Sequence, residues 1–266
     1  MAEGSETRSL RLAHEARHRR ARLVVPTVEH RFGGIDAVLD EAQHLVADRT
    51  DVRGTSKLMT ATHSMDPRVP ALLLVTDRHA TAGRDLETVV ARALDAGLPA
   101  VQLRDKDLPG RMLFALAERL RVATRRTGAL LFVNDRVDVA RAIDADGVQL
   151  GASTLPVEVA RTLLAPGALV GESTHALAEV RDTRADFVVF GPVYNTPSKR
   201  VYGLPQGDRV YDALAAAPVP LVAIGGIEPA TATALRAAGV HGVAVIRAIL
   251  GAPDPAAATR ALLHGR

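Results

Sequence analysis

The sequence predicts an α/β protein, a (β/α)8 TIM barrel carrying an N-terminal extension. Eight short apolar runs alternate with amphipathic stretches through residues 70–264. The runs are apolar throughout rather than every second residue, as strands covered on both faces must be. No Gly-x-Gly-x-x-Gly follows the first run, which argues against an open doubly wound sheet.

The elements follow in order. A first strand at 71–76 (Ala-Leu-Leu-Leu-Val-Thr) precedes helical spacing at 86–98. The second strand, 100–103, leads to a helix at 111–124, and the third, 129–133, to one at 137–143. Strand 147–150 is followed by helix 156–164, and strand 169–171 by helix 176–183. Strand 187–190 runs into a long polar loop. Strand 221–224 precedes helix 229–238, which opens on Pro229, and strand 242–246 precedes helix 255–263, which opens on Pro255. Proline at a first helical position loses no hydrogen bond.

Residues 1–64 form the extension and 65–266 the barrel domain. The extension is rich in Arg, with Arg-His-Arg-Arg-Ala-Arg at 17–22, but acids are nearly as frequent. Apolar residues at Ile35, Val38, Leu39, Ala42 and Val46 have helical spacing. It reads as a solvated, partly helical extension, or as sequence ahead of a start at Met59 or Met65, rather than as a nucleic-acid or targeting arm.

Composition removes several function classes. The chain has no Cys, which excludes disulfides, thiolate catalysis and Cys-based zinc sites. Aromatics are 3% and Trp is absent, so single strands have little to stack on. No apolar stretch is long enough to span a bilayer, and the start lacks the apolar core of a signal peptide. A cytoplasmic enzyme of small molecules, binding neither nucleic acid nor membrane, is the expectation, with a homo-oligomer left open.

In a TIM barrel the active site lies at the C-terminal ends of the strands. Polar residues cluster there: Thr76-Asp77-Arg78, Arg104-Asp105-Lys106, Asn134-Asp135-Arg136, Ser173-Thr174-His175 and Arg247. With Thr196-Pro197-Ser198-Lys199-Arg200 they put cations from several strands on one face, which suits a polyanionic substrate. Asp135 suits Mg2+, which takes few protein carboxylates and fills its octahedron with water and phosphate oxygens. Its alternative role is to cap the next helix and pair with Arg136. Gly225-Gly226 after the seventh strand admits close approach of an anion, or is simply a tight turn. His175 reads equally as a general base or as a helix-start residue bonded to backbone. His241 sits at the opposite end and reads as structural.

Taken together, Gln102-Leu103-Arg104-Asp105-Lys106, Val133-Asn134-Asp135-Arg136, Ser173-Thr174-His175, Gly191-Pro192-Val193 with Thr196-Pro197-Ser198-Lys199, and Ala223-Ile224-Gly225-Gly226-Ile227 resemble the thiamine phosphate synthase family over residues 70–264. The resemblance implies a transferase that joins hydroxymethylpyrimidine diphosphate to a thiazole phosphate with Mg2+ and releases pyrophosphate. It implies that diphosphate leaves first and that the thiazole nitrogen attacks the resulting pyrimidine methylene cation. It assigns Gln102, Arg104, Lys106, Asn134 and Lys199 to the pyrimidine diphosphate, with Leu103 and Asp105 in the same segment, and Ser173 to the pyrimidine. Thr196, Pro197, Ser198 and the backbone of Gly226, Ile246 and Arg247 fall to the thiazole phosphate. Arg104, Lys106 and Lys199 are the catalytic cations, and Asp135 the metal ligand.

One departure stands out. After the fourth strand the family reads His-hydrophobic-Gly-Gln-x-Asp, whereas this chain reads Gln149-Leu150-Gly151-Ala152-Ser153-Thr154. Thr154 replaces a second metal carboxylate and Gln149 replaces the His. The related thiazole tautomerase branch, an isomerase of a thiazole carboxylate phosphate, and a non-catalytic barrel that binds thiamine precursors are the competing readings.

Overall fold

The protein is described by a computed structural model at residues 66–195 and 205–265. Eight parallel strands close into a barrel in sequence order: β1 (Leu72–Val75), β2 (Ala100–Leu103), β3 (Leu130–Asn134), β4 (Gly147–Leu150), β5 (Leu169–Thr174), β6 (Phe187–Phe190), β7 (Leu221–Ile224) and β8 (Gly242–Val245). The closing pair sets Leu73 beside Ala244. The outer layer holds α1 (Leu86–Asp95), α2 (Gly110–Thr127), α3 (Val137–Ala142), α4 (Val157–Leu163), α5 (Leu177–Asp182), α6 (Arg209–Ala216), α7 (Pro229–Ala237), the short α8 (Arg247–Leu250) and α9 (Pro255–His264). The predicted TIM barrel is therefore observed; the extension at 1–64 and its helical spacing lie outside the described residues.

Strand alternation divides the apolar residues into two cores. Leu72, Leu74, Val101, Leu103, Leu131 and Val133 face outward and pack under the helices. Leu73, Val75, Ala100, Phe132, Phe187 and Val222 fill the barrel. Phe132 and Phe187 meet edge to face at 5.5 Å and 78°. Each ring needs a glycine beside it: a Cβ on Gly147 would lie 2.7 Å from Phe132, and one on Gly171 would collide with Phe187. Large and small residues thus alternate to fill the interior.

The ends of the elements are fixed by short-range chemistry. Asp85 caps α1 by accepting from Thr88 N, and Asp254 caps α9 from Ala256 N and Ala257 N. At the N-terminal end of the barrel, Asp146 accepts from Leu131 N and pairs with Arg121. Asp186 repeats the device two strands on, accepting from Val170 N and pairing with Arg161. His241 Nε2 meets Val69 O at this end, as its structural reading required.

Three details differ from the sequence expectation. β5 continues to Thr174, three residues past the apolar run, because Glu172, Ser173 and Thr174 still pair with Val188, Val189 and Phe190. α6 closes the loop after β6, with only Val210 and Ala213 buried, too few to show a period. α8 is one turn packed on Ile249 and Leu250.

Candidate active site

Inward-facing strand residues change character at the C-terminal mouth. Gln102, Asn134 and Ser173 line one side of a cavity there, and Val75, Val189 and Ile224 line the other. The space measures about 180 Å³, close to one known to hold a benzene ring, so it suits one aromatic ring rather than a whole diphosphate. An amide-and-hydroxyl wall opposite an aliphatic wall fits a heteroaromatic ring with polar groups on one edge.

The polar side is wired together. Asp135 has φ 61°, a left-handed turn that Asp tolerates better than most residues. That turn lets its carboxylate accept from Asn134 Nδ2 at 2.6 Å and from Gly151 N at 2.8 Å. Asn134 Oδ1 in turn accepts from Gln102 Nε2 at 2.9 Å. Neighbouring Gln149 donates from Nε2 to Ser173 Oγ at 3.0 Å.

Cations stand around the cavity. Arg104 and Arg247 line it, and no carboxylate pairs with either among the described residues. Arg78 and Arg136, by contrast, are engaged by Asp105 and Asp138. The Asp138 carboxylate beside Arg136 holds that guanidinium charged, and Arg136 holds the Asp138 carboxyl below the usual range. Lys106 is exposed on the loop after β2, beyond the cavity wall.

The β6–β7 side explains both glycines. Loop residues Val193 and Tyr194 donate backbone N–H to Ile224 O and Gly225 O. A Cβ on Gly225 would lie 2.7 Å from Pro192, and one on Gly226 2.6 Å from Asn195 O. With φ of 106° and 63° these positions need glycine for the close approach alone. Gly226 is nonetheless exposed at the mouth, and Ile246 borders the cavity beside Arg247. Burial pushes the Tyr194 phenol up, so it stays neutral at physiological pH. His175 lines the cavity with Nδ1 against Gly191 O, and Glu179 accepts its backbone N–H.

The geometry corrects part of the sequence reading. Leu103 points outward, 1% exposed in the core beneath the helices, so its side chain cannot touch a substrate in the cavity. Asp105 does not face the cavity: it pairs with Arg78 at 2.9 Å and accepts from Asp107 N and Leu108 N, holding the loop that carries Arg104. Strand parity places Leu103 outward one residue after the inward Gln102. Thr196, Pro197, Ser198 and Lys199 lie outside the described residues. The apolar wall was missed because Val75, Val189 and Ile224 look like any other strand residues; only their inward parity at the strand ends marks them.

Among the described residues no group of three His, Asp or Glu is arranged to hold a cation. Asp135 and Thr154 both reach Gly151: the carboxylate accepts its N–H, and the Thr154 hydroxyl donates to its carbonyl at 2.8 Å. One carboxylate and one neutral hydroxyl suit a magnesium ion that draws most of its ligands from water and phosphate.

The described barrel matches known proteins. Residues 72–249 match the family described as thiamine monophosphate synthase. A Geobacter sulfurreducens protein is 51% identical over 198 residues, 73% of this chain and 92% of its own length. The thiamine-phosphate synthase of Roseiflexus castenholzii is 44% identical over 193 residues, 71% of this chain and 85% of its own. Among solved structures, thiamine phosphate pyrophosphorylase from Pyrococcus furiosus superposes with a TM-score of 0.66 at 37% identity, covering 74% of this chain and 95% of that one. The match over residues 72–249, with relatives 44–51% identical across most of their own length, shows that this chain belongs to the thiamine monophosphate synthase family.

Proposed function

We propose that the chain is a transferase of thiamine biosynthesis, joining hydroxymethylpyrimidine diphosphate to thiazole phosphate to give thiamine phosphate and pyrophosphate. The carrying observation is a ring-sized cavity, amide on one side and aliphatic on the other, with Arg104 and Arg247, neither ion-paired among the described residues, on its wall together with Asp77.

The reaction breaks the bond from the pyrimidine methylene to the diphosphate oxygen, and the electron pair leaves with diphosphate. The thiazole nitrogen lone pair then forms the new carbon–nitrogen bond. No base is needed to activate a nitrogen that carries no proton, so His175 has no proton to move in this step. Charge builds on the departing diphosphate, and fixed cations aimed at it lower the barrier. Arg104 stands at the right end of β2 to do this, with Lys106 on the adjoining loop. Lys199 shares the role on the resemblance of its segment. Gln102, Asn134 and Ser173 orient the pyrimidine, while Val189 and Ile224 cover its face. Asp135, with the Thr154 hydroxyl bonded to the same Gly151, would hold a magnesium ion, which would supply further neutralisation of the diphosphate.

The reading is of a cytoplasmic enzyme of small molecules; among the described residues no helix is long and apolar enough to cross a membrane. The test is pyrophosphate release by the full chain given both substrates and Mg2+. Release that requires both substrates supports the synthase. No release, with metal-free isomerisation of a thiazole carboxylate phosphate instead, replaces it with the tautomerase.

A further inference from the structure

Gln149 lies on β4 inside the barrel, 1% exposed. Its Nε2 donates to Ser173 Oγ, but its Oε1 is buried and takes no hydrogen bond among the described residues. That oxygen lies over Gly171, where any Cβ would collide with it, so the glycine makes the space the carboxamide occupies. Turning the amide over would not help. It would leave both amide N–H donors without an acceptor, where now one of them reaches Ser173 Oγ, and orphaned donors are rarer than under-used carbonyls. A buried amide satisfied at one end weakens a fold, and an apolar side chain of the same shape would fill the site without that cost. Gln149 therefore does something that packing does not require.

Its effect falls on Ser173. Because Ser173 Oγ receives a proton from Gln149, its own O–H is directed elsewhere, and Ser173 lines the cavity. We propose that Gln149 is a positioning residue: it turns the Ser173 hydroxyl so that the O–H points into the cavity, as a donor to a ring nitrogen of the bound aminopyrimidine. This role rests on the substrate reading above.

The experiment measures calorimetric affinity for hydroxymethylpyrimidine diphosphate, together with thermal melting, on the full chain and its variants Q149M, Q149H, S173A and Q149M/S173A. Q149M is expected to bind about tenfold more weakly, the scale of one lost directed hydrogen bond. Its melting temperature should equal or exceed that of the parent. In the S173A background Q149M should change affinity by less than about twofold, since a coupled pair is not additive. Q149H keeps an N–H donor and should recover most of the affinity. An equal loss with and without the Ser173 hydroxyl overturns the role, as does a lowered melting temperature with unchanged affinity. Failure of both Gln149 variants to fold makes the residue structural and overturns it too. If the parent chain does not bind the pyrimidine diphosphate, the substrate reading falls; parent binding with additive losses removes only the role of Gln149.

Discussion

Asn134 donates its side-chain amide to the carboxylate of Asp135, 2.6 Å away. That contact fixes more than two residues. An ionised carboxylate only accepts, so Asn134 must turn Nδ2 toward Asp135 and Oδ1 away. Oδ1 then takes the Nε2 proton of Gln102, and Gln102 is left showing Oε1 to the cavity it lines. A charge at the mouth of β3 thereby sets the hydrogen-bonding polarity of β2. Gln102 and Ser173 thus bring an amide and a hydroxyl to the cavity from β2 and β5, with Asn134 of β3 between them in strand order.

Arg104→Ala and Arg247→Ala should each lower kcat/KM by about 10²-fold, roughly 2.7 kcal/mol of transition-state stabilisation. Neither guanidinium is paired with a carboxylate among the described residues, so melting temperatures should stay within about 1–2 °C, the usual range for surface changes. Steady-state kinetics beside thermal melting separate the two effects. Near-normal turnover in both variants would remove the diphosphate from this side of the barrel.

The barrel was legible because burial on both faces leaves its mark as uninterrupted apolar runs, and eight of them close a sheet. The strand-end groups Gln102, Arg104, Asn134 and Ser173 were legible because polar residues ending such runs have only the mouth to occupy. Leu103 was misread because strand parity sends it outward one residue after Gln102, and Asp105 because it lies on the loop past β2, where it pairs with Arg78. The aliphatic wall of Val189 and Ile224 carries no compositional signal at all. Gln149 was visible as a replaced histidine, but its bond to Ser173 spans two strands and exists only in the folded barrel.

Asp146→Ala should destabilise the fold without touching the chemistry. The carboxylate accepts from Leu131 N at 2.7 Å and pairs with Arg121, whose side chain is only 12% exposed. Removing it strands a strand-end N–H and leaves a largely buried guanidinium unpaired, a loss of roughly 3 kcal/mol. The site is at the barrel end away from Arg104, so kcat and KM should hold at temperatures where the variant is folded. Urea unfolding and a pyrophosphate assay decide it; an active-site effect without a stability loss would contradict the assignment.

The cap of α1 makes a pH-dependent contribution. Asp85 accepts from the backbone N–H and hydroxyl of Thr88, and these bonds hold its carboxyl below the usual carboxylate range. Its folded pKa is depressed, so the cap stabilises fully above the unfolded value and fades as pH falls through the folded one. Asp85→Ala should therefore cost about 1 kcal/mol at neutral pH, with the difference shrinking as pH falls below about 4 and gone once the folded carboxyl is protonated. Denaturation of both proteins across that range tests the sign: a difference that grew on acidification would be the wrong way round.

On the proposed magnesium site at Asp135, Thr154 is the position that would tune the metal's affinity. Its hydroxyl donates to Gly151 O while Asp135 accepts from Gly151 N, so the two side chains grip one residue from either end. An aspartate at 154 cannot donate to that carbonyl when ionised, and it adds a second carboxylate on the other side of Gly151 from Asp135. Magnesium is a hard cation that prefers charged oxygen ligands. Thr154→Asp should therefore lower the Mg2+ concentration for half-maximal rate by about tenfold, one added carboxylate being worth on the order of 1.4 kcal/mol here. Without metal the variant has lost the hydroxyl's bond to Gly151 O, so it should melt below the parent in chelator and recover when Mg2+ is added. Asp135→Asn is the complementary change. Asparagine tolerates the left-handed backbone at φ 61°, so the fold should survive while turnover falls about 10²-fold. An unchanged metal dependence in Thr154→Asp together with an active Asp135→Asn would place the magnesium, and the diphosphate it neutralises, away from the end of β3.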